Sequence, residues 1–127
     1  MKKIGFITKN KVLAQSLALL IKSNLDLPFE PYVLLSIEQA AVDAEIFGID
    51  VAVIEMIEEA SVESGVILSL CKQLRTMDPG CQILLLVPQD SKNNREIAMK
   101  AVNTNIVDDY VFLDASLDYL LAKLLAF

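Results

Sequence analysis

The sequence predicts a doubly wound α/β domain, in which a five-stranded parallel sheet is covered by five helices. Short apolar runs rich in Ile, Val and Leu recur five times, and segments with helical periodicity separate them. Apolar residues make up 54% of the chain, above the usual share of about 45–50%, which suits a sheet buried on both faces. A length of 127 residues is that of about one domain, so residues 1–127 are expected to form a single unit.

Each apolar run is too short for a helix and is expected to be a strand buried on both faces, as parallel sheets require. Right-handed crossovers between such strands place helices on both faces of the sheet. The strands are expected at 3–8, 32–36, 50–55, 82–87 and 106–112.

The second of the intervening helices has the clearest ends. Ser36, with Gln39 three residues later, fits a capping box, and Gly48 supplies a left-handed C-terminal cap. The core-facing stripes of the five helices are expected to be Leu13, Leu17, Leu20 and Ile21; Ile37, Ala40, Ala41, Ala44 and Phe47; Ile67, Leu70, Cys71 and Leu74; Ile97, Ala98, Ala101 and Val102; and Leu117, Leu120, Leu121 and Leu124.

The boundaries of the last three helices depend on turn signals. The third helix is expected to stop before Asp78-Pro79-Gly80. The fourth is expected to begin near Asp90 or Ser91, and the fifth at Asp114.

The composition excludes several classes of function. The chain has no histidine, which removes Ser/His/Asp and Cys/His catalysis, the usual zinc sites and a phosphohistidine acceptor. A net charge of −6 with scattered Lys and Arg predicts no direct binding to nucleic acid. Without a nucleophile and base pair, the chain is not expected to be an enzyme.

The cysteines and apolar runs indicate the compartment. Cys71 and Cys81 form no CxxC motif and are expected to be small buried side chains in a reducing cytosol, not a disulfide. No apolar run approaches the roughly 20 residues that span a bilayer, and the apolar stretch between Lys3 and Thr8 is too short for the apolar region of a signal peptide. A cytoplasmic protein without a membrane partner is expected.

Ligands of doubly wound sheets bind at the carboxyl ends of the strands, so the residues that follow each strand are the candidates for a binding or catalytic site. The turn after the first strand, TKNKV, has no glycine, which disfavours nucleotide and flavin binding. Lys9 and Lys11 in that turn leave one alternative, a small anionic ligand at this edge.

A magnesium site needs converging carboxylates, and only Glu55 ends a strand here. Lys9 follows the first strand, where it would repel a cation. No metal and no cofactor are therefore expected. The loop acids Glu58, Glu59 and Glu63 are expected to face solvent.

Three segments resemble the receiver domain of bacterial response regulators, and the resemblance extends over essentially the whole chain. They are VDDYVFLDASLDYLLAKL (107–124), PGCQILLLVP (79–88) and DVAVIE (50–55). The first is similar to the Ala-Asp-Asp-Tyr-x-x-Lys-Pro-Phe segment of that family and the helix after it. The resemblance implies a CheY-like, flavodoxin-like α/β/α fold in three layers.

In that family, an aspartate ending the third strand accepts a phosphoryl group from a kinase histidine, and magnesium is held there by further acids. A Thr or Ser ending the fourth strand and a Lys ending the fifth contact the phosphoryl group. At the corresponding positions this sequence has Glu55 as acceptor, Val87 for the hydroxyl and Leu113 for the lysine. The family's acidic pair falls on Thr8 and Lys9 or, in a shifted register, on Lys9 and Asn10, and Asp114 replaces its proline.

The loop after the third strand also departs from the family pattern. Residues 56–64 contain no proline, and Gly65 comes ten residues after Glu55, about two later than usual. The resemblance therefore implies a degenerate receiver, or pseudo-receiver, that lacks the phosphorylation pocket. Glu55 is then either a fixed charge that mimics phosphorylation or, as we expect, a solvated strand-end residue without a role.

Receivers signal through the face formed by the fourth helix, fifth strand and fifth helix. Tyr110 falls at the family's switch aromatic position, although a core role would explain it equally well. Tyr119, Leu125 and Phe127 lie off the core stripe of the fifth helix. They are candidates for a dimer or partner surface, and the alternatives are a frayed terminus or packing against a following segment.

The leading hypothesis is a phosphorylation-independent signalling domain that dimerises or docks on a regulatory protein. The alternatives are a receiver phosphorylated at Glu55 as an atypical acceptor, and the small anionic-ligand binder.

Overall fold

The computed structural model describes residues 1–24, 26–56, 61–113 and 116–127, without the side chains of residues 61–64 and 117. Strands and helices alternate along the whole chain. They are β1 (Lys2–Ile7), α1 (Lys11–Ser23), β2 (Phe29–Leu34), α2 (Ile37–Phe47), β3 (Val51–Glu55), α3 (Ser61–Met77), β4 (Gln82–Val87), α4 (Lys92–Asn103), β5 (Asp109–Phe112) and α5 (Leu117–Leu125).

The five strands form one parallel sheet in the order β2-β1-β3-β4-β5. This is the doubly wound three-layer α/β/α architecture, and the predicted fold class is confirmed. Neighbouring residues of a strand alternate between two cores. In β3, Val51 and Val53 pack towards α1 and α5, whereas Ala52 and Ile54 pack towards α2, α3 and α4. The sheet is thus buried on both faces, which explains the high apolar content.

The local helix signals are largely confirmed. The hydroxyl of Ser36 accepts the backbone N–H of Gln39, and Gly48 ends α2 in the left-handed region with φ 69°. Ser91 caps α4 in the same way, through the N–H of Asn94. The predicted stripes lie in or against the core, apart from Phe47, from Leu20, which is half-buried outside both core clusters, and from Leu117, whose side chain lies outside the described residues.

Phe47 was wrongly placed in the core of α2. Its side chain is 38% exposed and stacks on Tyr32 of the edge strand β2, with the ring centroids 5.1 Å apart. Because β2 is the outermost strand in the order of the described sheet, this aromatic pair lies at the rim of the sheet, where Lys3 approaches the Tyr32 ring.

Three element boundaries differ from the predictions by three residues each, and the other differences are of one or two residues. The strand β2 begins at Phe29, three residues before the predicted start, because Pro31 is tolerated on an edge strand. β5 begins at Asp109 and not at residue 106. The apolar residues Ile106 and Val107 instead donate their N–H groups to the carbonyl of Ala101 and close the end of α4.

The helix α5 begins at Leu117, after the predicted start at Asp114. Its N-cap is Ser116, whose hydroxyl accepts the N–H of Tyr119. Serine and aspartate are comparable caps, so the sequence did not distinguish the two positions.

Cys71 and Cys81 are free and buried, as predicted. Within the described part of the chain, none of the helices is long and apolar enough to cross a membrane.

Candidate functional site at the carboxyl edge of the sheet

The parallel register brings the ends of β1 and β3 side by side. Ile7 of β1 is the partner of Ile54 of β3, so the residues that follow them, Thr8 and Glu55, are neighbours at the carboxyl edge. On the other side of β3, Glu55 is the partner of Leu86 in β4. Val87 and Leu113 lie further along the same edge, where β4 and β5 end.

A hydrogen bond joins the first two of these residues. The hydroxyl of Thr8 donates to Oε1 of Glu55 at 2.5 Å and accepts the backbone N–H of Asn10 at 2.9 Å. Thr8 is buried and Glu55 is half-buried. The expectation of a simply solvated Glu55 is therefore wrong in this respect, because a buried hydroxyl holds one oxygen of the carboxylate. The sequence matches Thr8 only to the family's acidic-pair position, and its role as a donor is not apparent there.

The remaining positions of this edge are aliphatic. Val87 is fully buried, and its carbonyl accepts the N–H of Leu113 at 2.9 Å. The side chain of Leu113 borders a small apolar cavity with Leu17 and Leu120 of the helices α1 and α5. Neither position offers a hydroxyl or an amine to a charged group at Glu55.

Lys9 and Asn10 serve the neighbouring helices. The side-chain oxygen of Asn10 accepts the N–H of Leu13 and caps α1, so the structural role of this side chain is at the start of the helix. Hydrogen bonds from its own backbone N–H and from Ser36 lower the pKa of Glu38, and the charge of exposed Lys9 adds to the shift. The small-anion alternative gains no support from this arrangement.

No group of three or more Cys, Asp or Glu residues that could hold a metal ion occurs among the described residues. Glu58, Glu59 and Asp114 lie outside that part of the chain, as does the side chain of Glu63.

The candidate interaction residues divide between two places. Tyr110 is half-buried and packs edge-to-face on Phe112, with the ring centroids 5.8 Å apart. These two residues, with Asp109, line a groove whose other wall is formed by Tyr119 and Lys123 of α5. Lys123 donates to Asp109 at 2.6 Å, which raises the pKa of the lysine despite the opposing effect of burial.

Leu125 and Phe127 lie away from this groove. Leu125 is six residues from Tyr119, a rotation of about 120° around the helix, and is exposed on the other flank of α5. Phe127 is half-buried and packs against the core beneath α1 and α5. We call the surface formed by Asp109, Tyr110, Phe112, Tyr119 and Lys123 the β5–α5 groove.

No protein-family model and no curated protein matches the sequence. Solved structures with the same fold include a Francisella response regulator receiver domain, with 20% identity, a TM-score of 0.75 and coverage of 99% of this chain and 95% of that one. A receiver-type regulator, TrrA of Thermotoga maritima, solved with Mg²⁺ and BeF, shows 16% identity, a TM-score of 0.72 and coverage of 99% and 98%. A proposed pilus assembly protein of Burkholderia thailandensis gives 16% identity, a TM-score of 0.74 and coverage of 99% and 97%. The chain therefore has the CheY-like, flavodoxin-like fold of response-regulator receiver domains.

Proposed function

We propose that this chain is a receiver-like signalling domain that acts through contact with another protein and does not require phosphorylation. The observation that carries the proposal is the composition of the carboxyl edge. Glu55, which the sequence resemblance aligns with the phosphoacceptor position of receivers, accepts a hydrogen bond from Thr8, and the aliphatic residues Val87 and Leu113 lie along the same edge.

A phosphoryl group on Glu55 would lack the partners that stabilise it. Phosphorylation adds a charge of about −1.5 to −2 and three strong acceptor oxygens. Val87 and Leu113 have no donor for these oxygens, and the Thr8 hydroxyl already donates to the carboxylate. Because phosphoryl transfer depends almost wholly on positioning and charge neutralisation, this edge favours neither the reaction nor its product.

Magnesium would meet a similar obstacle. The ion prefers an octahedron of oxygen ligands supplied by carboxylates, phosphates and water. Among the described residues that end a strand at this edge, Glu55 is the one carboxylate, and the ammonium of Lys9 follows Thr8 in the turn. A receiver that works without the ion is consistent with this charge pattern.

The chemical part of the proposal can be tested with a small phosphodonor. The chain is incubated with acetyl phosphate and Mg²⁺, and its intact mass is measured beside a receiver known to be phosphorylated. We expect no phosphoryl adduct. A hydroxylamine-sensitive adduct that disappears in Glu55→Gln would overturn the proposal and establish the atypical acceptor instead.

The β5–α5 groove is the contact surface that we propose for the partner. It combines an aromatic pair with the half-exposed Tyr119 ring and the Asp109–Lys123 ion pair. Aromatic residues surrounded by a few charges are typical of the residues that dominate binding energy in protein interfaces.

A photo-crosslinking amino acid at position 119 tests this surface in the organism that makes the protein. Position 125, on the other flank of the same helix, provides the matched control. We expect an adduct from position 119 and not from 125. A second copy of the chain in that adduct would identify a homodimer, and another protein would identify a regulatory partner. Equal adducts at both positions, or none at 119, would contradict the proposed surface.

A further inference from the structure

Two helices on opposite faces of the sheet each expose a pair of aliphatic side chains. On α1 these are Val12 and Leu19, which are 74% and 65% exposed, and on α2 they are Val42 and Ile46, which are 49% and 70% exposed. Each pair points away from the buried side of its own helix. In α1 that buried side includes Leu17. Both helices therefore present an apolar strip to solvent in addition to their core face.

The charges beside the two strips have opposite signs. The charged residues of α1 are Lys11 and Lys22, and those of α2 are Glu38, Asp43 and Glu45. The ion pairs among the described residues are Arg75–Asp108 and Lys123–Asp109, so none of these five charges is paired within the described chain. The two strips are thus complementary in both apolar character and charge.

The placement of the charges around each helix makes the match directional. With about 100° of rotation per residue, Lys11 and Lys22 lie on one flank of the α1 strip, roughly 70–90° from its centre. Glu38 and Glu45 lie roughly 60–80° from the centre of the α2 strip. When each helix is viewed from its N-terminus, these two acids lie on the same side of their strip as the two lysines do of theirs. Flanks on the same side meet when two helices pack antiparallel, the orientation that their dipoles also favour.

The positions along the two axes agree with the same orientation. At a rise of about 1.5 Å per residue, placing Lys22 opposite Glu38 brings Leu19 and Val42 within about 2 Å of one level. Val12 and Ile46 then lie within about 3 Å of a common level, and Lys11 and Glu45 within about 6 Å, which a lysine side chain can bridge. Four complementary pairs therefore form in a single arrangement.

One copy of the chain cannot join these strips to each other, because α1 and α2 pack on opposite faces of its sheet. We propose that the α1 strip of one copy docks antiparallel on the α2 strip of a second copy, so that copies associate head to tail. Such a contact joins two different surfaces. In a pair of copies, one α1 strip and one α2 strip therefore remain unoccupied. The association therefore continues into rings or filaments instead of closing as a symmetric dimer.

Sedimentation velocity of the purified chain over a wide concentration range tests this association. We expect the average mass to rise past that of a dimer and to fall when NaCl is raised from about 0.05 M to about 0.5 M. A chain that stays monomeric throughout, or that stops at a dimer, would overturn the proposal. The dimer result would instead favour the β5–α5 groove, so this outcome separates the two surfaces.

Charge reversal provides the sharper test. Lys11→Glu with Lys22→Glu makes both strips acidic, and Glu38→Lys with Glu45→Lys makes both basic. Each double variant should raise the dissociation constant about tenfold or more, whereas an equimolar mixture of the two should associate again because opposite strips then meet. If the double variants lost association and their mixture did not recover it, the result would contradict the proposed pairing.

The matched control is Lys92→Glu with Lys100→Glu on α4, which changes the net charge equally at exposed positions outside both strips. It should associate as the natural sequence does. All variants alter exposed side chains, and circular dichroism with urea unfolding verifies that each is folded. If the control weakened association as much as the strip variants do, net charge would explain the effect, and the proposed pairing of the strips would be overturned.

Discussion

At the scale of single residues, the Thr8–Glu55 hydrogen bond is the least expected feature of the molecule. The sequence identified both residues as strand ends, but the bond also requires Ile7 and Ile54 to be partners in adjacent strands. That register comes from the packing of the whole sheet, which the periodicity of one strand does not determine. Val87 and Leu113 were easier to predict as non-reactive, because their aliphatic side chains offer no donor in any register.

Replacing the donor should destabilise the fold. In Thr8→Val the buried hydroxyl is lost and one oxygen of the half-buried Glu55 carboxylate loses its partner. We expect the free energy of unfolding to fall by about 1–3 kcal/mol. Urea unfolding monitored by circular dichroism provides the measurement.

The matched control is Glu55→Gln, which keeps an oxygen that can accept the Thr8 hydroxyl. We expect its free energy of unfolding to change by less than about 1 kcal/mol, and its partner binding to be nearly unchanged. An equal loss of stability in both variants would show that the charge, and not the hydrogen bond, is what stabilises this edge. A large loss of binding in Glu55→Gln would favour a phosphorylation-mimicking role.

At the scale of helices and strands, features that depend on a few adjacent residues were predicted well. Serine caps and a C-terminal glycine satisfy backbone groups at the end of their own helix, so Ser36 and Gly48 were found without tertiary information, and Ser91 was one of the two predicted starts of α4. The start of β5 was missed because Ile106 and Val107 have the composition of a strand. Their N–H groups bind the end of α4, a contact that a local pattern does not reveal.

Two glycines give opposite predictions for the same substitution. Gly48 has φ 69° at the end of α2, where a Cβ atom is unfavourable by about 1–2 kcal/mol. Gly48→Ala should therefore lower the free energy of unfolding by roughly that amount, although nothing lies within 4 Å of the added atom.

Gly65 is exposed within α3, and a Cβ atom there would also meet nothing within 4 Å. Alanine favours the helix and restricts the unfolded chain, so Gly65→Ala should raise the free energy of unfolding by about 0.5–1 kcal/mol. Chemical denaturation of both variants measures the pair. The same sign of change at the two positions would contradict the assignment of the left-handed conformation to Gly48 and of the helical conformation to Gly65.

At the scale of the whole molecule, the alternating pattern was sufficient for the fold class but not for the order of the strands. The central strands β1, β3 and β4 are apolar on both faces along most of their length, so their sequences do not say which strands are their neighbours. The order β2-β1-β3-β4-β5 follows from the helices and their crossovers. The core-facing residues predicted for α1 and α2 likewise did not reveal the exposed apolar strips of these helices. The exposure of a strip depends on which face of its helix the sheet covers.

The buried thiols predict how global stability depends on pH. Burial raises the pKa of Cys71 to about 12 and that of Cys81 to about 11, from an ordinary value of 9.0. The unfolded chain therefore releases these protons at a lower pH than the folded chain. Stability is fully present below about pH 9 and is lost as the pH rises towards 11 and 12, by up to about 1.4 kcal/mol per pH unit for each thiol.

Urea unfolding at a series of alkaline pH values checks this dependence. In the double variant Cys71→Ala, Cys81→Ala, the free energy of unfolding should fall less steeply with rising pH, whatever its absolute value. Some dependence remains in it, because the pKa values of Tyr32 and Lys123 are also raised by their hydrogen bonds to Glu30 and Asp109. An unchanged slope would show that the thiols are not protected from ionisation by the fold.

The interior position of β1 has a consequence for how the protein is made. This strand precedes both of its neighbours in the chain, yet it pairs with β2 on one side and β3 on the other. During translation, its side chains Ile4, Phe6 and Ile7 must wait for residues 51–55 to leave the ribosome before the central pairing forms. Over that interval they offer an apolar segment to chaperones, and slower synthesis of the first half would lengthen the exposure that favours aggregation.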